Sequence, residues 1–311
     1  MTLPRKALVG TAALVMALAA SGCGGDDRAE ARSVQDEVKV VGDFGKRPEI
    51  SFTAPLDLSE TSQWDGRRGE GDRVASDATV ILQLTLANGR TGKIAISTPD
   101  RGPLQLKLPD EIFPALARAL AGQRADSRVV VASTPDDAYG SLGSPQIGIK
   151  GGDPVVMVAD ILSTDPTEVL DGPTGATLTP PATAPKVQES GGEVTGLDVT
   201  GLRKPRRLTV IPLREGDGPV VDPPDRITAD YYGAVWGASS PFDSTYGRTP
   251  ASFSIGLKSV IGAWDRALAG VKEGSRVMII CPPRTAYGAT AKPGIPAGST
   301  LVFVVDVLGV G

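Results

Sequence analysis

A stretch of sequence occurs twice in this chain, and the distance between its copies fixes the architecture before any composition is considered. Residues 112–122 (IFPALARALAG) match residues 260–270 (VIGAWDRALAG) at an offset of 148 residues. The register holds without gaps through Ser127-Arg128-Val129 and Ser275-Arg276-Val277, and on to Ala138-Tyr139-Gly140 and Ala286-Tyr287-Gly288. Near the ends, Val158-Ala159-Asp160-Ile161-Leu162 echoes Val304-Val305-Asp306-Val307-Leu308 with the offset shortened by two residues. Self-similarity at a fixed period marks a repeated unit, here of roughly 120 residues, within the usual range of one domain.

Each copy reads as strands around one short helix. Ile227-Thr228-Ala229-Asp230-Tyr231 alternates as a half-buried strand does. Residues 260–269 have helical spacing, with Ile261, Trp264 and Leu268 on one face and Gly270 as a stop. Residues 276–280 and 301–308 are β-rich runs bounded by Gly and Pro. The fold class expected is α+β, two domains each built as an antiparallel sheet packed on one short helix. Residues 38–163 and 186–311 form the two units, and residues 164–185, rich in Thr, Pro and Gly, read as a linker.

The N-terminus reads as targeting sequence. Arg5 and Lys6 precede the apolar run 7–20 (ALVGTAALVMALAA), shorter than the ~20 residues of a membrane span and suited to a signal-peptide core. Ala20-Ser21-Gly22-Cys23 resembles a bacterial lipobox. That resemblance implies removal of residues 1–22, a lipid on Cys23 and a membrane-anchored, extracytoplasmic protein. Residues 23–37 are polar and charged, and read as a flexible tether. Cys281 follows the apolar run 277–280 and reads as a buried, inert thiol.

There is no histidine in the chain. That removes Ser-His-Asp and Cys-His catalysis and His-ligated metal sites together. Two cysteines cannot form a four-cysteine zinc site. A net charge of −4 speaks against a nucleic-acid partner, which would need a clustered basic face. The run Arg203-Lys204-Pro205-Arg206-Arg207 is read as a solvated junction, with contact to anionic lipid as the other reading.

Aromatic residues point to the second copy. Of 3 Trp, 5 Tyr and 6 Phe, nine lie between residues 231 and 303. A requirement of the fold alone would have placed a similar set in the first copy. Asp230-Tyr231-Tyr232-Gly233, Phe242-Asp243-Ser244, residues 260–264 (VIGAW), Ala286-Tyr287-Gly288-Ala289-Thr290 and residues 295–303 (IPAGSTLVF) stand in the order and spacing of one family. Over residues of about 225–311 the chain resembles the FKBP-type peptidyl-prolyl cis-trans isomerases, and as a whole it is similar to bacterial surface lipoproteins that carry such domains.

The resemblance implies a five- or six-stranded antiparallel sheet around the helix, with a proline pocket between them. It implies Trp264 as the pocket floor and Tyr231, Phe242, Val260, Ile261 and Phe303 as walls. It gives Tyr287 a hydroxyl, and Ile261 a backbone N–H, for substrate carbonyls. Ile295 would cap the opening. Asp243 reads either as a general acid or as a residue holding strand and loop together. Two departures stand out: Ala251 where the family often has a wall phenylalanine, predicting a wider pocket there, and a loop 293–296 one residue short. The implied partners are X-Pro polypeptides, macrolide inhibitors of the family and, through Cys23, a membrane. No cofactor, metal or nucleophile is required. A module that binds Pro-containing segments without turnover, and a purely structural lipoprotein, are the competing readings.

The offset sets the copies side by side. Trp264 falls on Leu116, Phe303 on Met157, Tyr231 near Leu84, and only Tyr139 stays in register with Tyr287. Phe242-Asp243 has no match around residues 93–97. The expectation is a first unit that keeps the fold and has lost the site, with Pro114 tolerated only in the first turn of its helix.

Overall fold

The computed structural model describes residues 33–110 and 113–311. The signal-like run, Cys23 and most of the tether, as well as Ile112 of the repeat, lie outside the described residues. Val34–Gly311 is one compact unit. Its first four residues, Val34–Glu37, form a helical turn at the end of the stretch read as a tether.

The two halves contain sheets of one topology. In the first, strands β1 (Ser62–Arg67), β2 (Thr79–Asn88), β3 (Ile94–Ser97), β4 (Leu104–Lys107), β5 (Arg128–Ser133) and β6 (Val155–Thr164) pair in the order β1-β5-β6-β2-β3, with β4 also on β2. In the second, β7 (Thr209–Glu215), β8 (Arg226–Val235), β9 (Asp243–Ser244), β10 (Ala251–Ser254), β11 (Arg276–Cys281) and β12 (Leu301–Val310) pair as β7-β11-β12-β8-β9, with β10 on β8. All these pairings are antiparallel. Helix α1 (Pro114–Leu120) belongs to the first sheet and α2 (Gly262–Ala267) to the second. Pro114 stands in the first turn of α1, where its missing N–H breaks no helical bond. Helix α2 is shorter than the apolar spacing predicts, because Ile261 keeps an extended backbone with φ −60° and ψ 143°.

Both faces of each sheet are buried, which is why β12 (LVFVVDVLGV) is almost uninterrupted in its apolarity. On the helix side Ile227, Tyr231, Ile279, Phe303 and Val305 pack around Trp264. On the other side Tyr232, Ala234, Met278, Ile280, Val302 and Val304 pack against a hairpin, Lys186–Ser190 with Glu193–Asp198, through Val187, Val194 and Leu197. The first half repeats this third layer with Lys39–Val41 and Glu49–Ser51, whose Val40 and Ile50 cover Val130, Val156 and Val158. The hairpins stand at the repeat spacing to within one residue, so the duplicated unit is larger than the shared words of sequence suggest.

The two sheets also share a buried ion pair. Arg276 and Asp306 face each other across β11 and β12 with side chains 2% and 2% exposed. Arg128 and Asp160 occupy the same position between β5 and β6. Each guanidinium is capped by its hairpin: Arg128 donates to the carbonyls of Gly42 (2.7 Å) and Asp43 (2.8 Å), and Arg276 to Gly192 (2.8 Å) and Glu189 (2.8 Å).

The segment 164–185 is ordered against both halves. The Asp165 carboxylate accepts from the Thr79 backbone N–H and from Arg226, and the Leu170 N–H donates to Leu308. Ala176–Thr177 adds a short strand to β7. The Gly311 carbonyl accepts from the Ser163 hydroxyl at 2.7 Å. The Thr- and Pro-rich linker is thus held to both halves by hydrogen bonds.

Candidate functional site

Strand β8 carries Tyr231 on its helix-facing side, and β12 sets Phe303 opposite Gly233. A Cβ on Gly233 would lie 2.8 Å from Phe242 and 3.0 Å from Phe303, so the missing side chain makes room for both rings. The two rings meet edge to face with centroids 5.7 Å apart. Trp264, in the first turns of α2, is approached by Tyr231 (5.5 Å), Phe253 (4.9 Å) and Phe303 (5.4 Å), all at steep angles. Such edge contacts suit the ring quadrupoles and lock the indole in place. Its Nε1 is buried without a hydrogen-bond partner among the described residues.

These side chains line a groove of about 410 Å³, bounded also by Asp243, Val260, Ile261, Ser259 and Tyr287. The loop before α2 is fixed from two sides. The Ser259 hydroxyl donates to the Ser254 carbonyl, and Asp265 accepts from the Gly256 N–H at 2.8 Å. Val260 and Ile261 are thereby held at the mouth. Tyr287 leads out of a 3-10 turn (Pro283–Thr285), with the Lys292 ammonium 5.8 Å above its ring centre.

The polar edge of the groove is a network around Asp243. One carboxylate oxygen accepts from the Tyr231 hydroxyl, and the other from Arg248 (3.1 Å) and the Ser244 N–H (2.9 Å). Burial, then the carboxylate beside it, push the Tyr231 hydroxyl well above its ordinary range. With both oxygens engaged, Asp243 ties the Tyr231 hydroxyl to Arg248 and to its own loop. Among the described residues no group of side chains could hold a metal ion, and burial pushes the Cys281 thiol up to about 12.

Of the residues singled out in the sequence, Tyr231, Phe242, Asp243, Val260, Ile261, Trp264, Tyr287 and Phe303 come together here. Ile295 does not. It is 6% exposed and packs in the core under the groove. A tight turn causes this: Lys292 and Ile295 exchange both backbone bonds at 2.9 Å, and Gly294 at φ +72° sits against Phe242. The wider wall expected at Ala251 is also corrected, because Phe253, two residues on and on the same face of β10, fills that side. Spacing by two along a strand was the signal that would have found it.

The sheet register confirms the correspondence between halves. Leu86 pairs with Met157 as Gly233 pairs with Phe303, and Leu84 with Ala159 as Tyr231 with Val305. Leu86, Leu116 and Met157 are fully buried, so the space of the groove is filled. Phe113 and Tyr139, which stand where Ile261 and Tyr287 flank the opening, are in ring contact at 4.6 Å.

The model of the FKBP-type peptidyl-prolyl cis-trans isomerase matches residues 218–308. The FK506-binding protein of Streptomyces anulatus is 35% identical over 117 residues, 37% of this chain and 94% of that protein. The chain belongs to the FKBP-type isomerase family. Peptidyl-prolyl cis-trans isomerase Fkbp12 of Drosophila melanogaster is 37% identical over 105 residues, 33% of this chain and 97% of that FKBP. FkpA of Buchnera aphidicola, also named an FKBP-type isomerase, is 38% identical over 98 residues, 31% of this chain and 38% of that protein.

Proposed function

We propose that the second half catalyses cis-trans isomerisation of X-Pro bonds in exported polypeptides, on a protein held at the outer face of the cell membrane by a lipid on Cys23. The observation that carries the catalytic part is the aromatic groove over Trp264. Rotation about a peptide bond loses amide resonance against a barrier of about 18–20 kcal/mol. The twisted amide is less dipolar than the planar one, so a groove walled by Tyr231, Phe242, Phe253 and Phe303 penalises the ground state more than the transition state. Proline sits on the Trp264 ring. The Ile261 N–H and the Tyr287 hydroxyl, neither of which donates to another group among the described residues, orient the flanking carbonyls. Asp243 and Arg248 brace Tyr231. Macrolides of the kind FKBPs bind would compete for the same groove.

The first half, residues 38–163, is a degenerate copy that serves as a partner to the second, with the linker at 164–185 and the isomerase unit at 186–311. Its filled groove supports this reading.

The test is a peptide isomerisation assay on Val34–Gly311. The wild type should accelerate several X-Pro peptides above background. Tyr287→Phe, which deletes one hydrogen bond worth about 1 kcal/mol, should lower kcat/KM about fivefold. Binding of Pro peptides without acceleration would favour the non-catalytic module instead. For the anchor, Cys23→Ala should move the protein out of the membrane fraction.

A further inference from the structure

The loop 203–207 carries Arg203, Lys204, Arg206 and Arg207, all exposed. None of the four side chains makes an ion pair or hydrogen bond among the described residues. The buried guanidiniums behave otherwise: Arg128, Arg226 and Arg276 each meet a carboxylate. Four unneutralised cations within five residues are conspicuous on a chain of net charge −4.

The loop is also fixed in place. Leu202 packs into the cluster on the hairpin side of the second sheet, and Leu208 against the cluster on the helix side. The segment between them therefore rounds the end of the sheet, pinned at both ends, and presents its cations from a short span.

The repeat supplies an internal control. Thr209 pairs with Ile280 as Ser62 pairs with Ala132, which sets residues 56–60 of the first half opposite residues 203–207. There the sequence is Leu56-Asp57-Leu58-Ser59-Glu60, with Leu56 buried in the core. The same loop in the same fold is thus built with two acidic residues and no basic one. Folding does not call for the basic run, and its charge needs another explanation.

We infer that loop 203–207 is a contact site for an anionic phospholipid surface. The choice of a lipid surface rests on the reading of Cys23 as the anchor. Residues 24–33 reach at most about 35 Å, so an anchored protein is held near the headgroups at high effective concentration. A basic patch beside a lipid anchor adds electrostatic attachment to an anionic leaflet. Each Lys or Arg near an anionic leaflet adds attraction that fades within a Debye length.

The experiment uses Val34–Gly311, whose core clusters and ion pairs are internal to it and which carries no lipid, so its outcome does not depend on what happens at Cys23. Co-sedimentation is measured with phosphatidylcholine vesicles and with vesicles containing about a third phosphatidylglycerol. Binding to the anionic vesicles should be about tenfold tighter or more at ~0.1 M salt and should fade by ~0.5 M. The combined variant Arg203→Gln, Lys204→Gln, Arg206→Gln, Arg207→Gln should lose that difference while keeping the wild-type circular dichroism spectrum and isomerisation rate. Inorganic phosphate at the same total phosphate should not displace the protein. Equal binding to both vesicles, retention by the variant, or displacement by inorganic phosphate would each overturn the inference. If Cys23→Ala leaves fractionation unchanged while the vesicle result stands, the lipid reading fails and the contact site does not.

Discussion

Gly233 shows how one absent side chain separates a groove from a core. Its counterpart Leu86 is fully buried, and the rings that press on Gly233 are replaced by Ala95 and Met157. Gly233→Leu in Val34–Gly311 should therefore push Phe242 and Phe303 aside and fill the pocket, as Leu86 does in the first half. We expect kcat/KM to fall by about two orders of magnitude or more, since the reacting geometry is lost. The far-UV spectrum should be retained, because volume and patterning decide folding. A Gly233→Leu protein of near wild-type rate would show that the rings do not shape catalysis. Most of the site was legible in the sequence because the motifs around Tyr231, Trp264 and Phe303 stand in the order and spacing of the FKBP family. The direction of Ile295 depends on a two-bond turn, and Phe253 sits two residues beyond Ala251 on the same face of its strand. Turn geometry is tertiary information that spacing does not encode.

At the scale of elements, the hairpin that covers each sheet was the part least visible in the sequence. Lys39–Val41 and Lys186–Ser190 share little beyond alternate apolar residues, and a short polar hairpin contributes only Val40, Ile50, Val187 or Val194 to a hydrophobic pattern. What ties hairpin to sheet is the buried Arg–Asp pair, which each half keeps in place. In the second half the Arg276 guanidinium meets Asp306 Oδ2 at 2.6 Å, and Tyr246 also donates to that carboxylate at 2.8 Å. Removing one partner strands the other charge in the core. Asp306→Ala should lower unfolding stability by about 3–5 kcal/mol, read as a shift in urea midpoint. The double variant Arg276→Met, Asp306→Leu, which removes both charges, should recover much of that loss. Equal loss in single and double variants would mean that packing at the strand crossing, not charge, sets the cost.

At the scale of the whole molecule, the junction gathers carboxylates from both halves. A cleft of about 610 Å³ is lined by Glu70, Asp72 and Asp126 from one side and Asp222 and Asp225 from the other. Burial, reinforced by Asp222 and Asp126, raises Asp225 to about 6 from 3.8, against the backbone N–H of Asp222 that it accepts from. In the window from pH 4 to 6 the folded chain holds a proton that the unfolded chain has released. Stability from this group is thus present at low pH and lost as pH rises through about 6. Against an Asp225→Asn control, the Tm of the wild type should fall between pH 4 and 6 and run parallel above it. Parallel curves throughout would remove Asp225 from the account. The seam itself carries a different consequence. Asp165 clasps β2 and Arg226 at once, and the Gly311 carbonyl is held by Ser163. Neither copy can open without tearing bonds that belong to its twin, so the tandem should behave in a calorimeter as a single cooperative body, with one heat-absorption peak where two beads on a string would give two.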